Sequence, residues 1–245
     1  MADCELAGVN YCNTSSPAAV YYACSGDPLS CQTGNPTVST PNQVTNPVVA
    51  FPVDNNGNLI TFPSVASFQA SAIGTITFGI GTQSNNTVPG TVTIYVLDSN
   101  DNFATEFSAL YWPQSFIDSG SNAFYFPDYT GLIPICSDDA FFFCPTSTDN
   151  LSAQNAGTSG IFGPTVYFSI DSADSLFSNS GDAVFGTLGG PNDAKTPIPC
   201  TNPGTGYQGD CSFDWGLPFF YGRTVFTSID TKTVNGQPTP PWWAY

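Results

Sequence analysis

Short runs of apolar residues, several of them alternating with polar ones, recur from residue 48 to the end of the chain. Runs of this length that are rich in Val, Ile, Thr and aromatic residues and bounded by Gly, Pro, Asn and Asp are typical of β-strands. Helix candidates are scarce, and only residues 172–177 predict a single helical turn. The predicted strands lie at 48–51, 58–62, 73–81, 91–97, 103–110, 115–117, 123–126, 165–170, 183–185 and 215–229.

Two turn signals between these runs predict hairpins. Residues 54–57 (DNNG) join the first two predicted strands, and residues 98–102 (DSNDN) join the fourth and the fifth. Many short strands at short spacing, separated by Gly, Asn and Pro, favour an all-β sandwich or barrel-like fold. Residues 1–42 lack sustained periodicity and predict a loop-rich N-terminal segment pinned by disulfides, whereas residues 43–245 predict one β domain.

The charge of the chain narrows the possible chemistry. It has 19 acidic residues, 3 Lys and Arg and no His, and its formal net charge is −16. Without a basic patch, nucleic acid is not an expected partner. Without His, Ser-His-Asp catalysis, Cys-His catalysis and His-ligated metals are excluded, so we expect neither a metal nor a cofactor. The abundant ionisable group is the carboxylate, and because self-repulsion fades as carboxylates protonate, we expect an acidic working environment.

The eight cysteines fall into three local groups, which favours disulfide-closed loops in an oxidising compartment. Free core thiols are one alternative; a zinc site is the other, but no C-x2-C-like spacing occurs. The first four cysteines allow three connectivities. We expect sequential pairing: Cys4–Cys12, Cys24–Cys31, Cys136–Cys144 and Cys200–Cys211.

Disulfides also bear on location. No apolar run reaches the roughly 18 residues of a membrane helix. The opening residues 1–4 (MADC) lack the basic and apolar regions of a signal peptide, so such a segment was removed or the natural start lies upstream. We expect a secreted, periplasmic or cell-surface protein without a membrane span.

One carboxylate stands in a setting that suits catalysis. Asp118 directly follows the apolar pair Phe116-Ile117 and precedes Ser119-Gly120-Ser121. The small residues let N–H and hydroxyl groups turn towards the carboxylate oxygens, at what we expect to be a buried strand end. Beside a second carboxylate, such a group shares one proton, and the pair then works as acid and base on a water and a carbonyl.

These residues resemble a known family. Asp118-Ser119-Gly120-Ser121 matches the Asp-Thr/Ser-Gly-Ser/Thr motif of pepsin-like aspartic proteases. Residues 74–81 resemble the glycine-flanked strand before the second catalytic Asp of those enzymes, and residues 215–226 resemble their near-terminal apolar-Gly segment. The strings at 78–86, 116–122 and 213–223 are similar to strings in the C-terminal halves of a group of secreted bacterial pepsin-like proteins of unassigned function; this likeness spans roughly 43–245.

The resemblance implies a second lobe and half of an active site. Family members carry two Asp motifs, one per lobe, whereas this sequence has no upstream Asp-Thr-Gly and no flap. Asp118 would be the catalytic Asp, supported by Ser119, Gly120 and Ser121. The second Asp would come from a first-lobe chain or a second copy of this chain, and together they would cleave peptide or protein substrates. The alternative is a non-catalytic binding or assembly protein that retains the protease fold.

Three further features have two interpretations each. Asp214 stands where pepsins usually have an apolar residue. It could act near the site of Asp118, but we expect it to be a surface residue. The aromatic run at 140–144 is expected to pack under a disulfide loop rather than face substrate. The end of the chain, 242–245, is expected to form a last strand rather than a docking tail.

Overall fold

The computed structural model describes residues 47–128, 131–178, 180–192 and 212–245, and the backbone of two short strands near the N-terminus. Most of segment 1–42 and four cysteines (Cys4, Cys12, Cys200 and Cys211) lie outside the described residues. The described strands are β1 (Cys24–Ser25), β2 (Ser30–Cys31), β3 (Gly57–Thr61), β4 (Phe68–Gln69), β5 (Thr75–Phe78), β6 (Ile94–Val96), β7 (Phe103–Phe107), β8 (Leu110–Ile117), β9 (Phe124–Phe126), β10 (Asp149–Ala156), β11 (Phe162–Ile170), β12 (Val184–Phe185), β13 (Gly189–Pro191), β14 (Asp214–Trp215), β15 (Thr224–Ser228) and β16 (Trp242–Ala244).

Helices are short and few in this part of the chain. A four-residue helix, α1 (Ala173–Leu176), confirms the predicted helical turn, and two 3-10 helices span Pro47–Ala50 and Leu217–Phe220. Among the described residues, no helix has the length and apolar character needed to cross a membrane. The all-β prediction is therefore confirmed.

Two large sheets organise the molecule. The first has seven strands in the order β11-β10-β7-β8-β14-β9-β13, and the second has five in the order β5-β3-β15-β16-β6. All pairs of the second sheet are antiparallel, whereas β14 runs parallel to β8 and β13 runs parallel to β9 in the first. The strands that flank residue 118 thus lie in the interior of the larger sheet.

The core is aromatic and lies between the sheets. The five-stranded sheet separates two clusters of buried side chains. Successive residues of β16 point to opposite faces of this sheet: Trp243 packs against the main cluster, and Trp242 and Ala244 pack in a second cluster on the other face. The main cluster is built from buried side chains of both sheets and of the segments next to β14, among them Phe107, Trp112, Phe124, Phe126, Phe168, Phe213, Trp215, Phe219 and Val225.

Both predicted hairpins are wrong. Residues 47–50 form a 3-10 helix instead of a strand, so no strand precedes the turn at 54–57. The turn at 98–102 exists, but β6 pairs with β16 in the smaller sheet while β7 pairs with β8 in the larger one. The observed hairpin β7–β8 turns at Ser108 and Ala109, which both have positive φ (53° and 58°), and no Gly or Asn announces it.

Strand β10 has no counterpart among the predicted strands. Its sequence (DNLSAQNA) offers one large apolar residue, and its buried positions include Ala153, Asn155 and Ala156. Period-2 alternation of large apolar residues is the usual signal, and small or polar residues at the buried positions erase it. The predicted last strand is confirmed, since β16 pairs with β15 and β6.

One disulfide is seen directly. Cys136 and Cys144 are bonded, as predicted, and close a loop in which Phe143 is buried while Phe141 is exposed. The aromatic run thus packs under the disulfide only in part. In the N-terminal segment the backbone register of β1 and β2 sets residue 24 opposite residue 31, and the pairing of the other cysteines stays a prediction.

Candidate functional site

Asp118 is the first residue after β8. Ile117 ends that strand with its side chain in the core, whereas Asp118 itself is exposed in the turn that leads towards β9. The N–H of Asp118 donates to the carbonyl oxygen of Trp215 (3.1 Å), which continues the parallel pairing of β8 with β14. The carboxyl group of Asp118 therefore lies at a strand end, as predicted, but it is exposed to solvent instead of buried.

Strand β14 lies between two strands that are neighbours in the sequence. Asp214 is paired with Phe116 on β8 and with Tyr125 on β9, so residues 118–123 must cross over the end of β14. The chain then leaves β14 through Gly216, where a Cβ atom would lie 2.0 Å from the carbonyl oxygen of Ala123. Only glycine allows this approach of two backbones.

Groups of the turn itself surround the carboxylate of Asp118. The N–H of Gly120 donates to Oδ1 of Asp118 (2.7 Å), and Oγ of Ser121 lies 3.3 Å from Oδ2. The N–H of Ser121 also donates to the backbone oxygen of Asp118 (3.3 Å), and the N–H of Leu217 donates to that of Ser121 (2.7 Å). Ser119 is exposed, and no hydrogen bond joins it to Asp118 among the described residues.

A second carboxyl group lies behind the turn. Oγ of Ser121 donates to Oδ2 of Asp214 (2.5 Å), whose side chain is only 6% exposed. The surface position expected for Asp214 is wrong, because β14 is an interior strand of the sheet. A serine hydroxyl carries one hydrogen, so Ser121 can donate to Asp118 or to Asp214 but not to both at once.

Tyr125 borders Asp214 on the other side. Burial raises the pKa of Tyr125, and the negative charges of Asp214 and Asp139 raise it further. Its hydroxyl therefore stays protonated at neutral pH and donates to Oδ1 of Asn122 (2.7 Å) at the end of the turn. The turn is thus fixed at both ends by side-chain hydrogen bonds.

A buried chain of side-chain hydrogen bonds begins at the indole of Trp215. Its indole N–H donates to Oγ1 of Thr105 (3.1 Å), Thr105 donates to Oδ1 of Asn155 (2.7 Å), and Nδ2 of Asn155 donates to the hydroxyl of Tyr245 (2.8 Å). Burial raises the pKa of Tyr245 well above its usual value, so this hydroxyl remains protonated. Sequence patterns gave no signal for this network, because its members stand on four separate strands or segments.

A cleft of about 300 Å³ lies elsewhere, beside the disulfide. Asp138, Asp139, Phe142 and Phe177 are among its lining residues. Nearby, Asp174 and the sulfur atoms of the Cys136–Cys144 pair lie within 4.8 Å of one another, a spacing that could suit a metal. The two sulfurs are bonded to each other, however, and a disulfide does not supply the thiolates that metals bind.

Comparisons with known proteins give a family but no activity. No curated protein and no solved structure matches the chain. The model of one family, described as "Protein of unknown function (DUF3443)", matches residues 1–245. The chain therefore belongs to the DUF3443 family of proteins of unknown function.

Proposed function

We propose that this protein is a pepsin-like lobe that contributes Asp118 to an aspartic-protease-type carboxylate pair. The observation that carries the proposal is the local geometry of Asp118: an exposed carboxylate at the end of an interior strand, whose Oδ1 accepts the N–H of Gly120 (2.7 Å) and whose Oδ2 lies 3.3 Å from the hydroxyl oxygen of Ser121. Asp98 and Asp139 also accept a backbone N–H from two residues further on, so what distinguishes Asp118 is its place at the end of an interior strand. The crossing of this turn over β14 adds rigidity, which a catalytic group needs in order to keep its geometry.

Asp214 has a supporting role in this proposal. Because its side chain is buried, it cannot reach a substrate, and its contact with the site passes through Ser121. Asp214 is thus a positioning residue. The second catalytic carboxyl group comes from a first-lobe chain or from a second copy of this chain.

The reaction needs no cofactor in this scheme. One carboxylate of the pair takes a proton from a water molecule, whose oxygen attacks the peptide carbonyl carbon, while the other carboxyl group protonates the carbonyl oxygen. The resulting tetrahedral diol then collapses: the C–N bond breaks, the nitrogen leaves as an amine after receiving a proton, and a carboxylic acid remains. Peptides or proteins at acidic pH are the proposed substrates.

An extracytoplasmic location belongs to the same proposal. The Cys136–Cys144 disulfide is of the kind that persists in oxidising compartments. The large excess of acidic over basic residues suits an acidic exterior, where the net charge is reduced. We propose a secreted, periplasmic or surface-exposed protein.

A binding or assembly protein with the same fold is the second candidate. The observation that favours it is the surroundings of Asp118, because no other carboxyl group of the described residues contacts it directly. A lone exposed carboxylate of this kind could also serve as a hydrogen-bond acceptor for a partner.

A cleavage assay separates the two candidates. Unstructured peptides are incubated with the protein over a concentration series at acidic pH, with and without pepstatin, and Asp118→Asn is compared with Asp138→Asn, which removes the same charge at another exposed site. The protease proposal expects pepstatin-sensitive cleavage that Asp118→Asn abolishes and Asp138→Asn retains. Cleavage that is unchanged in Asp118→Asn overturns it. Absence of cleavage throughout the concentration series rules out a catalytic pair made by two copies of this chain and favours the binding protein.

A further inference from the structure

Strand β5 has one free edge. It is an outer strand of the five-stranded sheet and pairs with β3 alone among the described strands. The N–H of Gly79 donates to the oxygen of Gly57 (2.8 Å). This bond fixes which residues of β5 direct their backbone N–H and C=O groups towards β3 and which direct them away from it. By this alternation Thr77 directs its backbone groups at β3, whereas Ile76 directs its N–H and C=O away from the sheet.

Several apolar side chains along this edge are exposed. Ile76 is 61% exposed, and Ile73 and Phe78 are also exposed. Edge strands are normally protected by charges, prolines, bulges or a covering loop. Strand β5 has none of the first two, and the loop after it reaches the edge at its last residue, where Nδ2 of Asn86 donates to the oxygen of Phe78 (3.2 Å). The strand lies within residues 55–97, a stretch of 43 residues that contains no Asp, Glu, Lys or Arg.

Two other outer strands of the large sheets, β6 and β11, are protected. On β6 the oxygen of Val96 accepts the N–H of Thr158 (2.9 Å), and a Cβ on Gly157 would lie 2.7 Å from the Val96 nitrogen, so a turn covers that edge. On β11, the outer strand of the larger sheet, Pro164 interrupts the row of N–H donors. The exposed edge of β5 thus differs from the outer edges of β6 and β11.

Charge indicates what can cover this edge. The chain carries a formal net charge of −16, so two copies repel each other wherever their acidic surfaces meet. The 55–97 stretch adds no charge to that repulsion, and the carboxylate of Asp54 lies beside Gly79, beyond the end of the strand. A second β5 offers the same uncharged strand in return. An acidic partner gains no attraction here, and a basic partner finds no carboxylate to bind within the strand.

We propose that β5 is the self-association surface of this protein, on which β5 of a second copy pairs antiparallel across a two-fold axis at Ile76. In this register Ile76 lies opposite its own counterpart, and the outward N–H and C=O of each copy bond to those of the other. The two five-stranded sheets then join into one continuous sheet. This inference concerns assembly and does not depend on the protease proposal.

The two-fold axis permits a charge-swap test. Ile76→Lys and Ile76→Glu each place like charges opposite each other, whereas a mixture of the two places opposite charges there. By sedimentation velocity of the full chain, in a buffer of about 0.15 M ionic strength, which screens distant charges more than directly opposed ones, we expect the parent to dimerise. Each single variant should weaken dimerisation at least about tenfold, and the mixture should recover a heterodimer.

The matched control is Tyr167→Lys on β11, which introduces the same charge at a site that is 75% exposed on another outer strand. It should dimerise like the parent. Far-UV and near-UV circular dichroism of every variant verifies the fold. A parent chain that stays monomeric throughout the concentration series overturns the proposal, as does a dimer that survives Ile76→Lys, or a mixture that fails to recover.

Discussion

The hydroxyl of Ser121 lies 2.5 Å from a carboxylate oxygen of Asp214, although 93 positions of sequence separate the two residues. This contact ties the Asp118 turn to the interior strand beneath it. Ser121→Ala removes a hydrogen-bond donor from a buried carboxylate, and we expect it to lower the free energy of unfolding by about 1–3 kcal/mol in urea titrations. Ser119→Ala, in the exposed position two residues earlier, should change it by less than about 0.5 kcal/mol.

The same contact allows a double-mutant test. If Ser121 stabilises the protein through Asp214, then adding Asp214→Leu to Ser121→Ala should cost less than Asp214→Leu costs in the parent chain. Additive losses would show that the two side chains act independently.

Gly216 and Ala123 predict a severe steric effect. Gly216→Ala would bring a Cβ atom to 2.0 Å from the backbone oxygen of Ala123, and neither backbone can move without disturbing the sheet. We expect a loss of at least about 2 kcal/mol in the free energy of unfolding. Gly90→Ala is the control, because nothing lies within 4 Å of its Cβ position. Equal stabilities of the two variants would contradict the close approach.

The polar chain beneath Trp215 predicts a cost for a nearly isosteric change. Thr105→Val leaves Oδ1 of Asn155 and the indole N–H of Trp215 without their shared partner in the core. We expect a loss of about 1–3 kcal/mol, measured by urea unfolding followed through tryptophan fluorescence. Thr165→Val on the exposed face of β11 should be nearly neutral; a comparable loss there would point to strand propensity instead.

Asp101 predicts a pH-dependent effect. Burial raises the pKa of its carboxyl group, and the charges of Asp230 and Asp98 raise it further. A carboxyl group with a raised folded-state pKa destabilises the protein above that pKa, and the penalty disappears as the pH falls through it. Asp101→Asn should therefore raise the melting temperature at neutral pH and leave it unchanged at strongly acidic pH. Asn also tolerates the positive φ of this residue (63°).

Asp138→Asn serves as the control for Asp101, since it removes the same charge from an exposed position. A stabilisation of equal size in both variants would assign the effect to net charge and not to the surroundings of Asp101.

Removal of the Cys136–Cys144 disulfide should lower the free energy of unfolding by an amount that depends on the length of the closed loop. Cys136 and Cys144 are separated by eight positions, and replacing both with Ala frees the unfolded chain of this closed loop. The expected loss is about 2–3 kcal/mol in urea titrations under non-reducing conditions. Unchanged stability would show that packing around Phe143 holds the loop without the bond.

The candidate site shows what sequence reasoning can reach. Asp118 and its supporting residues Gly120 and Ser121 were predictable, because they follow one another along the chain and come directly after an apolar run. The burial of Asp214 was not, because it depends on β14 entering between β8 and β9, and a pairing between distant segments leaves no local pattern.

The fold shows the same limit. Strands with alternating large apolar residues, such as β3 and β11, coincide with predicted runs. The buried positions of β10 are instead occupied by Ala and Asn, which do not produce that pattern. The turn at 98–102 was recognised, but its hairpin was not realised, since turn chemistry specifies a reversal and not the sheet that each flanking strand joins.

The insertion of β14 between β8 and β9 also sets an order of folding. During synthesis β8 and β9 leave the ribosome long before residues 214 and 215 exist, so the gap between them must stay open, or be filled by other contacts, until the last part of the chain arrives. Closing such a long loop costs entropy before any contact repays it, which makes this step slow. A nascent chain that stops short of Asp214 thus contains every residue of the Asp118 turn and still lacks β14, the strand beside which the turn takes its shape.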